Sequence, residues 1–330
     1  MSDIVGHTTQ LNSFARLFAA GKLPTTAMFA GPTGIGKQRI AKLLARSLLC
    51  ENAEFGGCEK CHPCRLVTHD NHPDLRVIEC ADSEAANVGA IRELLYSLNL
   101  KSFAGSRRIV IFNDAEAMST QTANILLKQL EEPRPDTYFI LVSANPAELP
   151  PTLLSRCQVT FFDQLSDEAV KSYIERYPET KTENDTPMTT AELVTLADGS
   201  LSNIAVLREH LPLWRDLRDK LIRIRSGDPY LAHELSQALA KKKEDIPVAL
   251  LLMRIVARKE LHRAASPADS SAWATFLTNV LTAQHAISER NLSPAYVLHF
   301  TFLHLAGAPE LGSFTTLANG GTLLHSVINY

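Results

Sequence analysis

The stretch TTAMFAGPTGIGKQ, residues 25–38, limits the fold more than any other part of the chain. Apolar residues run up to Gly31, a G-x-x-x-x-G-K turn follows, and Ile40, Leu43, Leu44 and Leu48 then recur at helical spacing. A strand that ends in a glycine turn and opens a helix is the setting in which backbone N–H groups cradle phosphate. Four further apolar runs read as strands: LRVIEC (75–80), RRIVIF (107–112), YFILVSA (138–144) and QVTFF (158–162). STQTANILLKQLEEP lies between two of them. It reads as a helix capped by Ser119 or Thr120, with Ala123, Leu126, Leu127 and Leu130 on one face and Pro133 as its stop. Strands alternating with helices predict a parallel sheet with helical crossovers over residues 1–165.

Strand signals end near residue 165. LSDEAVKSYIERY is a short helix, 178–189 is a polar loop with two prolines, and TAELVTLADGSLSNIAVLREHL gives two helices broken at Gly199. From about 212 onward the pattern is helical, with breaks near Gly227–Pro229, Ser266–Pro267 and Ser293–Pro294. The expected organisation is an α/β domain over 1–165, a small helical domain over 166–210 and a larger helical domain over 211–330. A length of 330 residues and 45% hydrophobic residues suit several packed cores and exclude a disordered chain. Net charge is −3, which excludes strong whole-protein attraction to nucleic acid. MSDIVGHTTQ does not read as a signal peptide and no apolar run reaches membrane length, so a cytoplasmic location is expected.

Cys50, Cys58, Cys61 and Cys64 fall within CENAEFGGCEKCHPC. Four thiolates on a short glycine-containing loop suit one tetrahedral Zn²⁺ with no open position, hence a structural site. Free thiols and an Fe–S cluster are the other readings of this spacing. His62, His69 and His72 lie nearby but are not needed, because four sulfurs complete the shell. Cys80 and Cys157 read as ordinary core thiols.

The glycine loop, the four cysteines before the second strand, LLKQLEEP (126–133) and FILVSANPAELPPTLLSRC (139–157) occur together. With the opening VGHTTQLNSFARLFAAGKLPTTAMFAGP, the chain resembles the AAA+ clamp-loader subunits of bacterial DNA polymerase III. The resemblance is specific over 1–165, fair to about 210 and weak beyond. It implies a RecA-like α/β domain with an inserted zinc module (50–64), a helical lid, and a helical collar that joins neighbouring subunits. Within that family, some subunits hydrolyse ATP and the delta prime type does not.

The ATP-site positions implied by the resemblance are Gly31, Thr33, Gly34, Gly36, Lys37 and Gln38 in the loop, and Asn113 and Asp114 after VIF. The glycines and Lys37 retain the means to cradle phosphates. Gln38 replaces the hydroxyl that ligates Mg²⁺, Asn113 replaces the metal-side carboxylate, and Asp114 is one methylene short of the water-orienting Glu. Ser202 in GSLSNIA stands where motor subunits carry a lid arginine. ATP and Mg²⁺ binding are left open by these letters. Arg156 in SRC is implied to be an arginine finger reaching a neighbour's ATP site, where a planar guanidinium suits developing phosphate charge. A surface Arg in an ion pair is the plainer reading.

The resemblance thus implies a delta prime-type stator, without useful hydrolysis of its own, in the DNA polymerase III complex. Its implied partners are the motor subunits, a delta-type subunit, the sliding clamp and primer-template DNA. An active motor subunit and a zinc-stabilised binding protein reusing the fold are the alternatives. The LWRDLRDKLIRIR segment interleaves Asp216 and Asp219 with its basic residues, which favours a solvated helix face over a phosphate track. VALLLMRIV (248–256), YVLHFTFLHL (296–305), Trp273 and Phe276 read as core or collar contacts.

Overall fold

The structure, a computed structural model, describes residues 4–80, 107–178, 188–288 and 292–307, with positions 89, 91, 93, 94 and 96. Most of the loop expected over 178–189, and the end of the expected collar beyond 307, lie outside the described residues. The chain divides into two compact units, one of Met1–Tyr177 with Asp198–Ser202 and one of Pro178–Ala197 with Asn203–Tyr330.

The first unit is built on five parallel strands, β1 (Thr26–Ala30), β2 (Leu75–Glu79), β3 (Arg108–Asn113), β4 (Thr137–Ser143) and β5 (Gln158–Phe161), in the order β2-β3-β4-β1-β5. All five are the strands expected from the apolar runs. β1 is buried along its whole length and β3 and β4 nearly so, as strands covered on both faces must be. Successive side chains alternate between the faces. Met28 therefore joins Val110, Phe112, Phe139, Leu141 and Leu126 on one side, while Phe29 meets Phe14 and Phe162 on the other at centroid distances of 5.3 and 5.2 Å.

Helices whose full span is described in this unit are α1 (Thr8–Ala19), α2 (Lys37–Leu49), α3 (His62–Thr68), α4 (Thr120–Glu131), α5 (Pro151–Leu154) and α6 (Asp167–Arg176). In α2 the predicted face of Ile40, Leu43, Leu44 and Leu48 is buried. Ser119 is the cap of α4: its hydroxyl accepts from the Thr122 N–H at 3.2 Å. α3 was not expected; it sits inside the cysteine segment read as loop.

The second unit is helical throughout its described residues: α7 (Thr190–Ala197), the body of α8 (Leu201–Glu209), α9 (Leu211–Arg225), α10 (Pro229–Lys241), α11 (Ile246–Arg263), α12 (Pro267–Ser288) and α13 (Pro294–Leu305). Pro229, Pro267 and Pro294 occupy first-turn positions, where a missing N–H costs nothing. α11 buries residues around most of its circumference, Leu250, Leu252, Met253, Ile255 and Val256 among them. Trp273, Phe276 and Phe302 form a buried aromatic row with centroid spacings of 5.8 and 6.4 Å. On α9 the basic residues find carboxylates, Lys220 with Asp216 at 2.8 Å and Arg225 with Asp269 at 2.8 Å, which fits the solvated-face reading.

Candidate functional site

β1 delivers the chain to Gly31, whose N–H donates to the Ser143 carbonyl at 3.2 Å. Gly31 has φ +149°, and a Cβ there would lie 2.1 Å from the backbone oxygen of Phe162. The next carbonyls are all engaged. The Lys37 ammonium donates to the oxygens of Gly31 at 2.5 Å and Pro32 at 2.6 Å. The Ser200 hydroxyl donates to Thr33 O at 3.1 Å, and the Leu201 N–H to Gly34 O at 2.8 Å. His7 Nε2 is 3.0 Å from Ile35 O. With its carbonyls turned to protein donors, the loop leaves the N–H groups of Thr33, Gly34, Ile35 and Gly36 without an acceptor among the described residues. Consecutive free N–H groups at the start of a helix form a concavity suited to an anion.

Lys37 is buried, and this burial lowers its pKa, with the carboxylates of Glu116 and Asp114 opposing the shift. Gly34 is pressed against the start of α8: a Cβ would meet the hydroxyl oxygens of Ser202 and Ser200 at 2.0 and 2.2 Å. Those two hydroxyls are 3.0 Å apart and hydrogen-bonded. Ser202 therefore packs directly against the loop.

On the metal side of the loop the parallel register sets Glu79 beside Asn113. The Asn113 amide donates to Glu79 Oε1 at 2.8 Å, and the Gln38 amide approaches the same oxygen at 3.4 Å. Asn113 Oδ1 is buried without a protein partner. Asp114 follows with φ +47°. Its carboxyl is held above the ordinary range, by partial burial first and then by Glu116 and Glu79, against the pull of Lys37. Glu116 accepts from the Ala144 N–H at 2.9 Å. Two amide groups converge here on one carboxylate, so Gln38 and Asn113 themselves bring neither a hydroxyl nor a negative charge to this side of the loop.

The four cysteines come together. Cys50 caps the end of α2, Cys58 and Cys61 lie in the following loop, Cys64 is in α3, and the four sulfurs are within 4.8 Å of one another. A tetrahedral ion with metal–sulfur bonds near 2.3 Å sets neighbouring sulfurs roughly 3.8 Å apart, so this donor set fits a metal ion. The Cys58 N–H points at Cys50 Sγ and the Cys61 N–H at Cys58 Sγ, each at 3.4 Å. The N–H groups of Cys61 and Lys60 pull the Cys58 thiol down to about 6, whereas burial pushes Cys64 up to about 12. A cation bound among them would supply the charge that keeps all four as thiolates. The loop is gripped by α2: Ser47 Oγ accepts from the Gly56 N–H at 2.7 Å and Arg46 Nε donates to the Gly56 carbonyl at 2.5 Å. His72 is buried elsewhere, its Nδ1 accepting from the Asp74 N–H at 3.1 Å.

Arg156 follows the single-turn helix α5, at the entry to edge strand β5. Its Nε donates to Glu131 Oε1 at 2.7 Å and Nη2 contacts the same oxygen. Nη1 donates to the Thr152 carbonyl at 2.6 Å and to Ser155 Oγ at 3.2 Å. The arginine side chain keeps 31% of its surface exposed. Sequence reasoning named Arg156 but not Glu131, although LLKQLEEP contains it. It also missed Glu79, Glu116 and His7, whose approach to the loop depends on the sheet register and on α1.

Comparison with known proteins adds kinship. Residues 6–166 match the family model described as DNA polymerase III, delta subunit. The chain is 41% identical over 129 residues to the DNA polymerase III subunit delta' of Pseudomonas aeruginosa, covering 38% of this chain and 39% of that one. It is 33% identical over 150 residues to the delta' subunit of Bacillus subtilis, covering 46% and 45%. It is 28% identical over 300 residues to the tau subunit of Salmonella typhimurium, covering 89% and 44%. The matches thus span less than half the length of these curated relatives. A crystal structure of a DNA polymerase III gamma subunit-related protein from Thermotoga maritima shares the fold with TM-score 0.50 and 20% identity, over 90% of this chain and 99% of that one. Among the described residues no helix is long and apolar enough to cross a membrane.

Proposed function

We propose, from the match of residues 6–166 to the DNA polymerase III delta subunit model and from the similarity to delta' subunits, that the chain is the stator of a clamp loader in the bacterial cytoplasm. In this reading it sits beside motor subunits and a delta-type subunit and helps place a sliding clamp on primed DNA. It donates Arg156 to a neighbour's ATP site and hydrolyses no ATP itself. The domains follow the family layout: 1–165 as the AAA+ domain, 166–210 as the lid and 211–330 as the collar. The ion held by Cys50, Cys58, Cys61 and Cys64 is Zn²⁺ in a closed structural site.

The observation that carries this reading is the pair of amides at Gln38 and Asn113, both turned to Glu79. Phosphoryl transfer depends on positioning and charge neutralisation around Mg²⁺, and this side of the loop offers neither ligand. Arg156, by contrast, remains displayed at the surface. An arginine supplied in trans accelerates hydrolysis about 10³–10⁵-fold in other nucleotide hydrolases.

A second reading, an active motor, is favoured by one feature: the free N–H groups of Thr33–Gly36 beside Lys37. DNA- and clamp-stimulated ATP turnover separates the two. The chain is assembled with its cognate motor and delta-type subunits, as wild type and as Arg156→Ala, at matched assembly. The stator reading expects no turnover by the chain alone and a loss of at least 100-fold at the neighbour's site with Arg156→Ala, on the order of known finger losses. Turnover by the isolated chain that Lys37→Ala abolishes establishes the motor instead. A zinc-stabilised binding protein outside replication predicts no assembly with motor subunits.

A further inference from the structure

The guanidinium of Arg156 is not loose. One edge, Nε with Nη2, rests on Glu131 Oε1, and Nη1 is held by the Thr152 carbonyl and Ser155 Oγ. Of its five N–H groups, four are committed inside the chain, which leaves one Nη2 hydrogen without an acceptor among the described residues. Glu131 is the last residue of α4, and its side chain is 47% exposed. A carboxylate at a helix C-terminus opposes the helix dipole, so nothing in α4 itself favours an acid there. The residue is compensated by Arg156, 25 positions along the chain on the far side of β4. The pair thus joins the end of α4 to the turn before β5.

Building on the stator reading, we propose that Glu131 is the positioning residue of Arg156. It clamps the Nε edge so that the remaining Nη2 N–H and the charge are presented in one fixed direction to a neighbour's phosphate. A free arginine samples many rotamers, and a donor misplaced by an ångström forfeits much of its effect on a transition state. A second consequence follows from charge. The Glu131 carboxylate partly neutralises the guanidinium, so an uncharged acceptor of the same shape should hold the geometry while leaving more positive charge for the phosphate.

The test is a double-mutant cycle on the assembled complex, reading kcat and KM for clamp-stimulated ATP turnover at matched assembly and unchanged melting of the chain. Glu131→Ala should lower kcat roughly tenfold with KM little changed, the mark of an interaction made in the transition state. Glu131→Gln should hold kcat at or above wild type. In the Arg156→Ala background, Glu131→Ala should have no further effect, because it acts only through the arginine. Wild-type kcat for Glu131→Ala, a rise instead of a fall, a matching fall with Glu131→Gln, or a loss that adds to that of Arg156→Ala each overturns the proposal. If Arg156→Ala alone leaves turnover unchanged, the stator reading fails first, and the two failures stay distinct.

Discussion

Gly31 and Gly36 both belong to the phosphate-loop motif, but the structure gives them different reasons to be glycine, and replacing each with alanine separates those reasons. At Gly36, φ is +100° and no atom lies within 4 Å of an added Cβ. Only the backbone conformation resists, at a cost of about 1–2 kcal/mol. At Gly31, φ is +149° and the Cβ would lie 2.1 Å from the Phe162 backbone oxygen. That oxygen must retreat by roughly 1.3 Å to reach the 3.4 Å of ordinary contact. The residue that would have to move also donates its N–H to Ala30 O at 2.8 Å, the last rung between β1 and the β5 edge. Conformational cost and a broken buried rung together give about 3–5 kcal/mol. Both tryptophans, Trp214 and Trp273, lie in the second unit, so their fluorescence in urea is an internal control whose midpoint should not move. The first unit is read by amide hydrogen exchange in β1 and β4. Gly31→Ala should speed the slowest of these amides by about two to four orders of magnitude and Gly36→Ala by about tenfold. Equal acceleration by the two substitutions, or less than tenfold for Gly31→Ala, would refute the close-approach argument.

The pH dependence has a definite sign. Burial is the main influence on the rings of His7, His72 and His299 and lowers each from the ordinary 6.5. The unfolded chain therefore takes up protons near pH 6.5 before the folded chain does, and stability should fall as pH drops below that value, by up to about 1.4 kcal/mol per pH unit per group. Urea midpoints between pH 7.5 and 5 check this: His7→Gln should flatten part of the slope, and a level wild-type profile would contradict it. With the ion proposed at the four cysteines, a strong chelator should release one ion per chain and loosen α2 and α3, because Cys50 ends one helix and Cys64 lies in the other. Unchanged exchange protection in α2 after verified metal loss would count against a structural ion.

The five strands were legible because each is an apolar run bounded by polar or glycine residues, and covered parallel strands need no alternation to be recognised. The proline-started helices of the second unit were legible for the same local reason. The break at Lys242–Asp245 was missed although Pro247 stands in the first turn of the next helix, because KKED itself carries neither proline nor glycine. α3 was hidden because its short helix belongs to a segment whose shape is set by four sulfurs rather than by propensity. At the candidate site, Gly31, Lys37 and Arg156 could be named from motifs. Their partners could not: Glu79 reaches Asn113 through strand register, Ser200 reaches Thr33 through a turn far along the chain, and Glu131 meets Arg156 across β4. Contacts of that kind are set by tertiary geometry, which no local spacing encodes.

The strand order also sets a timetable for biosynthesis. β1 is made early, but its partners are β4 and β5: Thr26 pairs with Phe139 and Ala27 with Gln158. Ribosomes add roughly 5–20 residues per second, so the segment TAMFA, buried along its whole length in the fold, and the α2 face beside it wait on the order of ten seconds for their neighbours to be made. During that interval an unpaired hydrophobic strand is at its most adhesive. The nascent chain should therefore be a client of ribosome-associated chaperones until about residue 162 has cleared the exit tunnel, and truncations ending between β1 and β4 should accumulate as aggregates rather than as smaller folded proteins.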